Sequence, residues 1–469
     1  MSAWKRPIGS RTDQLHLGLL VGGVGNHAGA WRRPGSRVED VTSLRLFAEL
    51  AQRAEAARID TLFIADGLNL DVRAAEHSPA GHLEPVTLLS AVAAVTERIG
   101  LIPSVSTTFT EPYNLARQLA SLDHLSQGRA GWNVVTSAWG ERNYGDAPLP
   151  SHEDRYRRAA EHVAVARGLW ASWGPDALVA DRASGRYARP EELRTLAHRG
   201  EFYSVEGPLN VPRSPQGRPV LAQAGSSEHG KAFAAPFAEL VFTAQQTLRS
   251  SQEFYADLKD RVAAAGRSRD HVRVLPGVSP ILGSTEAEAR AAYRELVGHV
   301  DLDRARARLS KQLGGLDLDA IGLDERIPPE LLPPVEAVQG RQSRYGVYVE
   351  LAVVERLTVR ELVELEVASS GHWVPVGSVE QVADQLAERF VERGADGFIL
   401  LPSYLPEGFD LLVDALVPEL QDRGLFRTEY ESTTLRGHLG LPDVDDDAER
   451  HAAAGVEVPT PADALVSAS

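Results

Sequence analysis

The chain has 469 residues, 43% hydrophobic and 24% charged, with 49 Lys and Arg against 65 Asp and Glu and a formal net charge of −16. That length supports a large core without staples, and the acidic balance argues against a nucleic-acid partner or docking on an anionic membrane. Cysteine is absent, which excludes disulfides, thiolate metal sites and a cysteine nucleophile, and fits a reducing, cytoplasmic compartment.

No apolar run approaches the ~18 residues of a membrane span. Lys5, Arg6 and Arg11 ahead of Leu15–Val21, with Ala28-Gly29-Ala30 behind, imitate a secretory leader. The run is short and contains His16, however, and it reads as a first buried strand over 15–21. A helix with a 3.6-residue apolar period follows near 40–57, carried by Leu44, Phe47, Leu50, Ala51 and Ala54. Further strands are predicted at 61–65, 99–105, 130–135, 219–223, 239–243, 272–282 and 397–401. Helices are predicted at 85–97, 112–126, 153–171, 378–393 and 409–423. Residues 174–218 read as irregular, rich in Gly, Pro and Arg. Residues 300–377 break the rhythm and read as a helical insertion, with Pro328-Pro329 and Pro333-Pro334 in its loop. Eight strands alternating with helices predict an α/β fold, a (β/α)8 TIM barrel spanning 1–442, with a doubly wound sheet as the rival. The remainder, 443–469, is an acidic run followed by an Ala-, Pro- and Ser-rich tail, expected to be solvated and mobile.

Chemistry in such a barrel collects at the C-terminal ends of the strands. These ends carry Asp66-Gly67, then Ser104, Ser106, Thr107 and Thr108, then Asn133, Thr136 and Ser137, then Gly225-Ser226-Ser227, and last Pro402-Ser403-Tyr404. Free N–H groups and two hydroxyls at Gly225-Ser226-Ser227 suit a phosphate, or they form an ordinary helix cap. Asp66 is a general base, an acceptor for a ring N–H, or a turn residue. No metal is expected, because the His and carboxylate spacings match no ligand set. Walker, nucleophile-elbow and dinucleotide-binding motifs are absent. Arg32, Arg33 and Arg142 are candidates for meeting an acidic compound, with surface ion pairs as the plainer alternative.

The stretch Gly128-Arg129-Ala130-Gly131-Trp132-Asn133-Val134-Val135-Thr136-Ser137, followed by Glu141-Arg142-Asn143-Tyr144-Gly145, is distinctive. Other marks stand in order around it. They are His27–Arg32, Phe63–Asp66, Ser106-Thr107-Thr108 with Glu111-Pro112-Tyr113, His152–Tyr156, Gln223–Ser227, Gly394–Phe398 and Leu435–Leu441. Together, over 15–441, they resemble the nitrilotriacetate, dibenzothiophene-sulfone and long-chain alkane monooxygenase branch of the bacterial luciferase-like flavin monooxygenases. The resemblance implies a luciferase-like barrel, a homo-oligomer, and reduced FMN supplied by a separate NAD(P)H-dependent flavin reductase. It implies a flavin peroxide that oxygenates a small organic substrate, with 138–150, 174–218 and 300–377 as lid segments. By the same resemblance Asp66 contacts the flavin ring, and Thr107 and Thr136 lie beside it. His152 and Tyr156 hold the ribityl-phosphate, and Ser226 and Ser227 the phosphate. His27 is the candidate proton donor, its plain alternative being packing beside Trp31. The alkane branch carries His and Cys where this chain has Ala138 and Gly22, so alkane hydroxylation is not expected. The competing readings are a deazaflavin-dependent oxidoreductase on the same barrel, and a flavin-binding barrel without turnover.

Overall fold

The computed structural model describes residues 11–446 and 449, apart from 73, 78, 138 and 339–341. Eight strands form the closed barrel: β1 His16–Leu20, β2 Thr61–Ile64, β3 Gly100–Ser106, β4 Gly131–Val135, β5 Val220–Ala224, β6 Leu240–Thr243, β7 Arg273–Val278 and β8 Gly397–Leu400. Each pairs in parallel with its neighbours in sequence order, and β1 closes on β8 through His16↔Gly397. β2 and β8 are buried at every residue, which is why they read as continuous apolar runs rather than alternating ones.

Around the barrel lie α1 Leu44–Ala56, α2 Pro85–Ala93, α3 Pro112–Leu125, α4 His152–Trp170, α5 Glu228–Ala234 and α6 Leu248–Ala264. After β7 come α7 Glu286–Gly298, then α8 Leu302–Gln312, α9 Gln342–Val353 and α10 Val359–Ser369 of the insertion, then α11 Val379–Val391. The insertion has its own apolar core, with Leu309, Leu313, Tyr345, Tyr348, Leu362 and Val363 buried together. The stretch 174–218 contains two short antiparallel hairpins, 178–181 with 186–188 and 198–199 with 204–205. No helix among the described residues is long and apolar enough to cross a membrane.

The N-terminal face of the barrel is built for stability. Asp60, Glu239 and Asp396 immediately precede β2, β6 and β8. Each accepts an N–H from the strand before: Leu17 at 2.7 Å, Leu221 at 3.0 Å and Val274 at 2.9 Å. Each buried carboxylate also meets cations, Asp60 meeting Arg427, Glu239 meeting Arg218 and Arg436, and Asp396 meeting Lys259 and Arg11. Leu435, Leu439 and Leu441 plug this end from inside. Gly100 and Gly131 make room, since a Cβ on either would press on the Leu435 side chain, at 2.4 and 3.3 Å. The Gly394–Phe398 and Leu435–Leu441 motifs are therefore structural.

Two expectations are corrected. The apolar run 272–282 is not one strand: β7 ends at Val278, and Ile281–Gly283 leaves the barrel to pair with Val376–Ser378. The acidic run is not wholly solvated either. Asp446 pairs with Arg213, and buried Glu449 bridges Arg167 and Arg218. The predicted mobile tail, 451–469, the leader-like Lys5 and Arg6, and Ala138 lie outside the described residues.

Candidate active site at the barrel mouth

Ser151 caps α4, accepting the Asp154 N–H at 3.1 Å. The helix then presents His152 and Tyr156, four residues apart, on one face. Their rings lie 4.9 Å apart. The Tyr156 hydroxyl faces Thr136, just past β4, and Ser227, just past β5. Ser227 also caps the short helix α5 through the Gly230 N–H, and Ser226 shares a 2.8 Å hydrogen bond with Thr243 at the end of β6. Five of the residues expected to meet a flavin, Thr136, His152, Tyr156, Ser226 and Ser227, thus come together from two adjacent βα units.

Two members of this cluster were assigned no role from the sequence: Arg155, inside the His152–Tyr156 motif, and His229, outside every motif. Arg155 is buried beside His152 and Tyr156. Its guanidinium donates to the Pro150 carbonyl at 3.0 Å, its Nε has no partner, and no carboxylate pairs with it among the described residues. His229, on α5, stands edge-on to His152 with ring centroids 5.0 Å apart. Burial, His229 and Arg155 bring His152 down to about 4, so it is neutral at pH 7. Hydroxyls, imidazoles and a buried, unbalanced guanidinium form a donor set for an anion.

Inside the mouth, Asn133 donates to Ser104 Oγ at 2.8 Å and leaves its buried Oδ1 without a partner. Ser137 donates to Ser106 at 2.7 Å. Thr107 is fully buried, and its hydroxyl donates to the Val135 carbonyl at 3.2 Å, which braces the β4 end. Asp66 accepts the Gly67 N–H and lies 3.1 Å from His82 Nε2.

The insertion supplies the opposite side. His372 stacks on Phe242 of β6, ring centroids 4.8 Å apart and 18° from parallel, and its Nε2 accepts from Arg344 at 2.6 Å. Gly277 of β7 admits it: a Cβ there would fall 2.3 Å from His372 Nδ1 and 2.7 Å from the Phe242 ring. Gly277→Ala is expected to displace His372 and destabilise the fold by about 1–3 kcal/mol through overpacking. A urea midpoint unchanged from wild type would refute the close fit.

His27 is buried where the β1–α1 loop meets the insertion, beside Arg308 and His299. It does not stack on Trp31 in any ring contact among the described residues. Burial first, then those two neighbours, lower it to about 3, so it is neutral. Its Nδ1 accepts the Gly29 N–H at 3.0 Å, which leaves the proton on Nε2, a buried donor without a partner. Arg32 and Arg33 are engaged elsewhere, Arg32 on the His299 carbonyl and Arg33 over the Tyr404 ring and against Glu295. No cluster of three or more metal-ligating side chains occurs among the described residues.

The fold and this mouth define a luciferase-like barrel. The luciferase-like monooxygenase family matches residues 24–397, and the chain belongs to that family. It is 44% identical over 434 residues to the N-acetyl-S-(2-succino)cysteine monooxygenase of Bacillus subtilis, covering 92% of this chain and 98% of that protein. It is 44% identical over 441 residues to nitrilotriacetate monooxygenase component A of Aminobacter aminovorans, covering 91% and 96%. Among solved structures, the EDTA monooxygenase of Chelativorans superposes with a TM-score of 0.75 at 33% identity, covering 92% and 99%. The protein is accordingly a monooxygenase of the expected branch, and the reading without turnover is set aside.

Proposed function

We propose that the protein is the oxygenase component of a two-component system that takes reduced FMN from a separate flavin reductase and oxygenates a small carboxylate. The anion cluster around Arg155, His152, Tyr156, Ser226 and Ser227 carries this reading, because a buried guanidinium without a counter-ion among the described residues calls for a bound anion. Reduced FMN bound there would supply the electrons that activate dioxygen, so that one oxygen atom enters the substrate. Tyr156, Ser226, Ser227 and His152 hold the ribityl-phosphate, and Thr136 flanks the ring. The Asn133 Oδ1 accepts a ring N–H, Asp66 takes the pyrimidine edge, and Thr107 fixes the β4 end behind. The insertion excludes water from above. Arg344 and His372 orient a carboxylate of the substrate, in keeping with the acids that name the two 44% identical relatives. His27 offers its Nε2 proton at the seam between barrel and insertion.

Anaerobic titration with reduced FMN, followed by mixing with oxygen, tests the reading. A stoichiometric complex is expected, oxidising at least about tenfold more slowly than free flavin. His27→Leu is expected to leave flavin affinity intact and to lower product formed per NADH about 100-fold, the weight of a lost proton donor. Nitrilotriacetate is the first substrate to try. Failure to bind reduced FMN would overturn the proposal.

A further inference from the structure

We propose that His229 completes the phosphate site as a proton-coupled ligand, so that FMN enters together with a proton held by the His152–His229 pair. This rests on the flavin-phosphate reading above and assigns a role to a residue outside the motifs.

The argument is one of charge. A phosphate monoester carries nearly two negative charges at pH 7. Among the described residues the site offers one fixed positive charge, Arg155, because His152 is neutral in the free protein. Two imidazoles with centroids 5.0 Å apart repel if both are protonated. An anion between them reverses that, and each then holds its proton to higher pH. His229 is exposed while His152 is half-buried, so His229 is the ring open to solvent at the edge of the cluster.

The charged groups of α5 and α6 packed around His229 among the described residues are engaged with one another. From α4, His229 faces His152 and Tyr156, the latter at 6.2 Å between centroids, with Arg155 behind them. On its own helix Glu228 and Lys231 pair with each other. From α6, Asp257 binds Lys231 and Arg261, and Arg261 also holds Glu228 at 2.6 Å. The nearby carboxylates are thus engaged by Lys231 and Arg261, away from the imidazole pair.

The test is calorimetric titration of the full chain with oxidised FMN and with riboflavin, in buffers of different ionisation enthalpy, from about pH 7 to 8.5. The phosphate of FMN is essentially dianionic across that range, so any pH dependence belongs to the protein. Wild type is expected to take up a substantial fraction of a proton with FMN, and to lose affinity about 3- to 10-fold across the range, while riboflavin binding stays flat. His229→Gln is expected to abolish the uptake and flatten the FMN profile at the weaker level. FMN binding without proton uptake, or an unchanged profile in His229→Gln, overturns the inference. A Ser227→Ala arm separates the two levels. If FMN outbinds riboflavin and Ser227→Ala removes that advantage while His229→Gln matches wild type, the phosphate site stands and His229 has no part in it. If FMN and riboflavin bind alike in every variant, the phosphate reading fails and takes this inference with it.

Discussion

Glu239→Gln will destabilise the barrel by about 3–5 kcal/mol, the usual consequence of removing one partner from a buried charge network. The Glu239 carboxylate is buried before β6 and receives Arg218 and Arg436, each at 2.7 Å, as well as the Leu221 N–H. Glutamine fills the same space but leaves two buried guanidiniums facing a neutral amide. Arg218 keeps Glu449 at 3.0 Å, whereas Arg436 retains the Pro442 carbonyl and no other carboxylate among the described residues. The pH dependence follows from the same contacts. Burial alone would raise Glu239, yet Arg218 and Arg436 hold it far below the ordinary carboxylate range. Lys259 and Arg11 likewise overcome burial and hold Asp396 at about 2. Such carboxylates bind protons more readily unfolded than folded, so their stabilisation is complete above about pH 4.5 and drains away as pH falls toward 2. Wild-type unfolding midpoints should therefore drop steeply over that window, and Glu239→Gln should show both a lower midpoint at pH 7 and a shallower acid slope. A loss below about 1 kcal/mol at pH 7 would mean the network is neutral in energy.

The same residues show what a sequence does and does not disclose. The barrel was legible because strands buried on both faces read as short apolar runs, and β2, β5 and β8 fall within a residue of their predicted bounds. The seventh run misled because Val272–Leu282 is mostly apolar on both sides of Ser279-Pro280, while the break after Val278 is set by pairing of Ile281–Gly283 with Val376–Ser378, nearly a hundred residues on. Glu449 is a parallel case. An acidic run is normally solvated, and only Arg167 and Arg218, remote in sequence, make one member of it a buried counter-ion. Within the mouth, the hydroxyls at strand ends were visible, and the four-residue spacing of His152 and Tyr156 placed their rings together. Thr107 was equally visible as a polar strand end, yet its hydroxyl turns to Val135. His229 was not visible, and Arg155 stood inside the His152–Tyr156 motif without an assigned role, since the meeting of the α4 and α5 starts is a tertiary fact with no local pattern. Arg344 and His372 come from an insertion whose place over the barrel no periodicity encodes.

That last pair bears on substrate choice, and Arg344→Met is expected to raise KM for a carboxylate substrate by about 30-fold or more. A guanidinium stays charged under all working conditions and presents paired donors that match a carboxylate. Arg344 is held at 2.6 Å from His372, whose ring is fixed by the Phe242 stack in the space Gly277 leaves open. The charge is therefore anchored to the barrel wall. Methionine keeps most of the bulk and removes the charge, and losing one partner of a desolvated charge pair typically weakens binding by about 2–5 kcal/mol, which is a factor of 30 at the lower end. Flavin affinity should stay within about twofold, because the phosphate cluster belongs to α4, β5 and α5 and shares no residue with this pair. Steady-state turnover with nitrilotriacetate and N-acetyl-S-(2-succino)cysteine, set against neutral dibenzothiophene sulfone, separates the possibilities. Turnover of a carboxylate and not of the sulfone, with KM alone rising in Arg344→Met, would place the acid group on Arg344. Turnover of the sulfone by wild type, or an Arg344→Met variant with an unchanged KM, would show that the guanidinium braces His372 and leaves substrate choice to other residues of the mouth.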